Sequence, residues 1–86
     1  MRRSIDDEPM GADDVPPGDE GEFQQLSWAV AISDDYDDAE VRVVLTVEEI
    51  GRRGEGLVAH LRPAAARRLR VAIRDALKEL GEDPGT

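Results

Sequence analysis

The chain has 86 residues, 36% of them charged, and a formal net charge of −9; that length allows one small domain and cannot bury a large core. It has no cysteine, which excludes disulfides, thiol nucleophiles and thiolate metal sites. No apolar run approaches the roughly 20 residues of a membrane-spanning helix and no secretory leader is visible, so a cytoplasmic protein is expected.

The charge is uneven. Up to Glu40, thirteen acids face only Arg2 and Arg3, whereas from Val41 onward nine basic residues outweigh seven acids. An acidic front is therefore joined to a mildly basic back. Lys78 is the single lysine, and this arginine-rich, alanine-rich usage fits a GC-rich bacterial genome.

From Met1 to about Glu22 the chain carries Pro9, Pro16, Pro17, Gly11, Gly18 and Gly21 among acids, with Ile5, Met10 and Val15 as scattered aliphatic residues. Such a segment cannot offset the roughly 1–2 kcal/mol of backbone entropy lost per ordered residue, so residues 1–22 read as a disordered acidic tail. Strict alternation then begins. Between Phe23 and Ser33, Leu26, Trp28, Val30 and Ile32 alternate with Ser27, Ala29, Ala31 and Ser33, the pattern of a half-buried strand with its large side chains inward.

Asp34 to Ala39 makes an acidic turn, and a second alternating segment runs from Glu40 to Ile50 with Val41, Val43, Leu45 and Val47 on one face. The acids of the turn lack the glycine and glutamate spacing of an EF-hand, so a solvated hairpin tip is the expectation rather than a metal site. Gly51 to Gly54 supplies a turn with glycines suited to positive φ. Leu57, Ala59 and Leu61 then alternate with Val58, His60 and Arg62 in a third strand.

Pro63 to Leu80 is the clearest element. Ala65, Leu69, Ala72, Ile73, Ala76, Leu77 and Leu80 recur at helical spacing, Pro63 suits the first helical position, and Gly81 suits a left-handed stop. Lys78 lies in the last turn, where the helix dipole favours a cation, while Arg62 offers no side-chain cap at the start. The expected fold is α+β: residues 23–81 form a three-stranded antiparallel meander covered on one face by the C-terminal helix, followed by a tail over 82–86. The expected core is Leu26, Trp28, Val30, Ile32, Val41, Val43, Leu45, Val47, Leu57, Ala59 and Leu61 against the helix stripe.

Chemistry has little to work with. His60 is the only imidazole and lies on the strand face away from this core, and Ser4, Ser27 and Ser33 stand in no nucleophile motif. No catalytic, cofactor or metal-ligating set is expected. Two surface features remain. Arg67, Arg70, Arg74 and Lys78 fall in one sector of the helix and form a basic ridge suited to an acidic protein surface or to nucleic-acid phosphates. Ser27, Ala29, Ala31 and Ser33 form a row of small side chains that would let a second copy or a partner approach closely. The composition points first to a non-enzymatic interaction or regulatory protein that self-associates through its sheet. The alternative is a nucleic-acid accessory protein using the arginine ridge.

Overall fold

A computed structural model describes residues 1–10, 25–52 and 54–85. Within them the chain forms strands β1 (Arg2–Pro9), β2 (Leu26–Ser33), β3 (Arg42–Glu49) and β4 (Leu57–Leu61), followed by helix α1 (Pro63–Glu79). All neighbouring strands are antiparallel and their spatial order equals their chain order, β1-β2-β3-β4. The α+β class, the meander and the terminal helix are as expected.

The strand count is not. Residues 2–9 were expected to belong to a disordered tail, yet they pair with β2 from Arg2 opposite Ser33 to Pro9 opposite Ser27. The composition argument considered only side chains. A strand can also be held by its main chain, and every side chain of β1 is exposed. Its pairing is extended by the Met10 amide on the Leu26 carbonyl at 2.8 Å and the Asp34 amide on the Met1 carbonyl at 3.1 Å. Asp6, Asp7 and Glu8 lie opposite Val30, Ala29 and Trp28, so no carboxylate meets a like charge across the ladder. The rest of the expected tail, residues 11–22, lies outside the described residues.

This added strand changes the edges of the sheet. β2, expected to be an open edge, is paired on both sides, and β1 becomes the edge instead. Charges, a register shift between Ser4 and Asp6 and a terminal proline all discourage further strand addition there. Deleting residues 1–10 should therefore expose one side of β2. The expected result is a loss of roughly 1–3 kcal/mol in urea unfolding, with faster hydrogen exchange confined at first to β2 amides. Unchanged β2 exchange would mean that β1 does not pair in solution.

The helix begins and ends as its sequence dictates. Arg62 is extended and makes no side-chain cap, and Pro63 opens the first turn. At the other end Gly81 has φ 76, its amide reaches the Lys78 carbonyl at 3.0 Å, and the Glu82 amide reaches that of Leu77 at 2.9 Å. These two bonds form a Schellman stop.

Packing departs from expectation more deeply. The strand register puts Trp28, Val30 and Ile32 with Val43, Leu45 and Val47 and with Leu57, Ala59 and Leu61 on one face, and α1 lies on that side, against β3 and β4 only. None of the eleven expected core residues is buried: Val41, Val47 and Leu57 are exposed and the other eight half-buried. The buried apolar residues among those described are Ala31 and Val44, at 5% and 1% exposure, and both belong to the opposite face.

Two causes account for this. Arg70 and Arg74 line the space between helix and sheet, where close packing would require apolar groups. On the other face Tyr36 folds back from the β2–β3 loop, its hydroxyl 2.8 Å from Nδ1 of His60 and its ring 4.5 Å from the Arg42 guanidinium. Arg42 and His60 flank Val44 on that face, so a ring that touches both lies across it.

Candidate functional site

The helix side of the sheet carries a groove lined largely by apolar side chains. A groove of about 430 Å³ runs between α1 and the strands. Its sheet wall is Val30, Val43, Leu45 and Leu61, and its helix wall includes Ala66, Leu69 and Ile73, with Arg70 and Arg74 among them. Leu69 and Ile73 remain 39% and 54% exposed.

The shape follows from local chain geometry. Only Arg62 separates the end of β4 from the start of α1, so the helix is tied closely to the sheet at its N-terminal end. The apolar stripe is also wider than the contact it makes. Ala66 and Leu77 are half-buried, whereas Ala65, Leu69, Ala72 and Ala76 on the same broad stripe are exposed.

Of the expected basic ridge, Arg70 and Arg74 turn toward the groove, while Arg67 borders a separate shallow depression with Arg68, Val71 and Asp75. Arg74 is paired with Asp75 at 3.1 Å, and Lys78 is exposed in the last turn. Arg70 and Arg74 thus border the groove and Arg67 the depression, while Lys78 lines neither. Helical angles alone missed this, because the helix is rotated relative to the sheet toward its arginine border.

The expected small-residue row is likewise no free face. Ala31 and Ser33 are buried and Ser27 and Ala29 half-buried within the chain itself. Tyr36 lies against His60 and Arg42 on that face, and β1 occupies the edge of β2.

A polar network closes that side. Arg42 donates to both carboxylate oxygens of Asp38, at 2.9 and 2.7 Å, and Arg62 donates to Glu40 at 2.7 Å. Arg42's hydrogen bonds, followed by the Glu40 amide, hold the Asp38 carboxyl well below the usual carboxylate range. Asp38 in turn raises Arg42 further. Asp34 and Asp35 both take the Met1 ammonium, whose hydrogen bond and charge lower Asp34. Most acids of the loop are therefore matched to cations of the same chain, an ordered arrangement where the sequence suggested a solvated tip.

The Tyr36–His60 contact is a pairing that the strand and helix periods do not reveal. Tyr36 is the lone aromatic in an otherwise acidic loop, and that isolation was the available signal: an aromatic ring there must find an apolar surface or a stacking partner. Its ring meets that of His60 edge-on at 5.5 Å. The network lies on the face opposite the groove, so the chain's imidazole and the groove do not share a site.

Comparison with known proteins finds no matching family model, no similar curated protein and no similar solved structure.

Proposed function

We propose that this protein is a non-enzymatic protein–protein interaction module that self-associates or engages a partner protein through the helix-side face of its sheet. The observation that carries this reading is the groove between α1 and the strands, lined mainly by apolar residues together with Arg70, Arg74 and the chain's own Pro84 and Gly85, in which Leu69 and Ile73 remain exposed. Apolar surface of this extent, rimmed by charge, is where binding energy is concentrated. The surface differs from the small-residue row suggested by the strand pattern, since half of that row is already covered. Arg70 and Arg74 act in this reading as the charged margin of the groove. A phosphate-binding ridge receives less support, because the four basic residues do not line one surface.

A photo-crosslinking amino acid placed at position 69, on the groove wall, tests the reading in living cells. It is expected to yield a covalent adduct to a protein, whereas the same group at position 68, on the other side of the helix, yields none. Equal labelling from both positions, or none from either, would overturn the assignment.

A further inference from the structure

We infer that the segment after α1, Gly81–Gly85, is a strap that folds back beside the helix onto the groove, so that the chain shields part of its own docking surface and uncovers it when the strap swings out. The inference rests on the interaction-module reading above and adds its regulation.

The first observation is a reversal of the chain. Gly81 adopts φ 76, and its amide and that of Glu82 return to the carbonyls of Lys78 and Leu77, which stops the helix and redirects the backbone. Pro84 and Gly85 then line the same groove as Leu69, Arg70, Ile73 and Arg74. Ile73 precedes Leu80 by seven residues, about 10 Å along the helix axis, while the five residues from Gly81 can span at most about 17 Å. A segment that reaches this wall must therefore run beside the helix and not away from it.

The second observation is the form of the strap's tip. The Gly85 amide donates to the Asp83 carboxylate at 2.8 Å, closing a turn around Pro84. The proline ring fixes its own φ as well, so the tip loses little freedom when it docks. Pro84 is half-buried, whereas Gly81, Glu82, Asp83 and Gly85 are exposed. One ring thus holds the strap on the groove. Because the apolar area it covers is small, the strap can detach without disturbing the sheet.

Competition follows from this placement. A partner that fills the groove between Ile73 and the sheet wall meets Pro84 there and has to displace it. The closed strap lowers the partner's apparent affinity by the fraction of molecules in which it is seated. Anything that draws Gly81–Gly85 away from the helix strengthens binding.

A disulfide can lock the strap, since the chain has no cysteine of its own. In the full chain carrying Ile73→Cys and Pro84→Cys, oxidised glutathione is expected to close the bridge at least about 10-fold faster than in a control with Ala72→Cys and Pro84→Cys, because Ala72 borders the separate depression. Equal rates would overturn the strap. The apolar dye anilinonaphthalene sulfonate then probes the groove. The bridged protein should bind it at least about 3-fold more weakly than the same protein after reduction, and Pro84→Asp in the otherwise natural chain at least about 3-fold more tightly than wild type. Dye affinity unchanged by either manipulation would overturn the shielding, and the Pro84→Asp titration decides alone if circular dichroism shows that the Ile73→Cys protein does not fold. None of these readings needs a partner. A protein adduct from the crosslinker at position 69 together with equal bridging rates would leave the interaction-module reading standing and remove the strap. Preferred bridging without any adduct would remove that reading and, with it, the regulatory role.

Discussion

Val44→Asp is expected to leave the chain unfolded at room temperature, whereas Val41→Asp changes its stability by no more than about 0.5 kcal/mol. Both positions read from sequence as aliphatic residues of the same strand region, and only their surroundings differ. Val44 is 1% exposed, in the middle of β3, with Ala31 and His60 opposite it on the neighbouring strands. A carboxylate there loses its water. The nearest guanidinium is already committed, since Arg42 spends its hydrogen bonds on Asp38, and His60 Nδ1 is taken by the Tyr36 hydroxyl. An unpaired buried charge costs about 3–5 kcal/mol, comparable with the entire stability of many small domains. Val41 precedes β3 and is 55% exposed, so the same substitution stays hydrated. Urea unfolding followed by circular dichroism checks the pair. Equal effects would mean that Tyr36 does not cover the sheet and that the core lies on the helix side after all.

Gly56→Ala is the second large effect. A methyl group at this position would run into the Val47 carbonyl and the Glu48 side chain, with the Glu48 Cα only 3.1 Å away. The Glu48 side chain can swing aside. The backbone of β3 cannot, because it is paired on both sides. Relief requires lifting the start of β4 from β3, at about 1–3 kcal/mol, and α1 follows because it is joined to β4 through Arg62 alone. Gly54→Ala serves as the control. Gly54 has open space around its Cα but φ 82, so alanine there costs only the conformational penalty, about 1 kcal/mol. Thermal unfolding should rank Gly56→Ala as the more damaging, with faster exchange starting in β4. A Gly56→Ala protein as stable as the parent would show that β4 can shift without loss.

Elements with a strong period are legible in the residues themselves. The alternation of Leu26 to Ser33 and of Val43 to Val47, and the helical recurrence through Pro63 to Leu80, encode strand and helix locally, because side chains point out with periods of 2 and 3.6 residues. Caps are equally local: Pro63 and Gly81 act through their own backbone preferences. β1 is illegible for the opposite reason. Its residues have no apolar period, and its strand conformation is decided by hydrogen bonds to β2, which no pattern within Arg2–Pro9 can announce.

What the sequence determined by itself was therefore the class of each periodic element, the meander order imposed by short connections, and the excess of acid in the first half. Which face of the sheet would be buried was decided only in three dimensions. Periodicity correctly divided the strands into two faces, but it ranked them by the size of their side chains, and burial depends on what arrives from elsewhere. One tyrosine from the β2–β3 loop, held by Arg42 and His60, lies on the small-residue face beside the buried Val44. Two arginines on the helix keep the large-residue face open. The candidate site is thus part of the expected core, only half-buried by its own chain, in a groove where Arg70 and Arg74 stand on the helix wall.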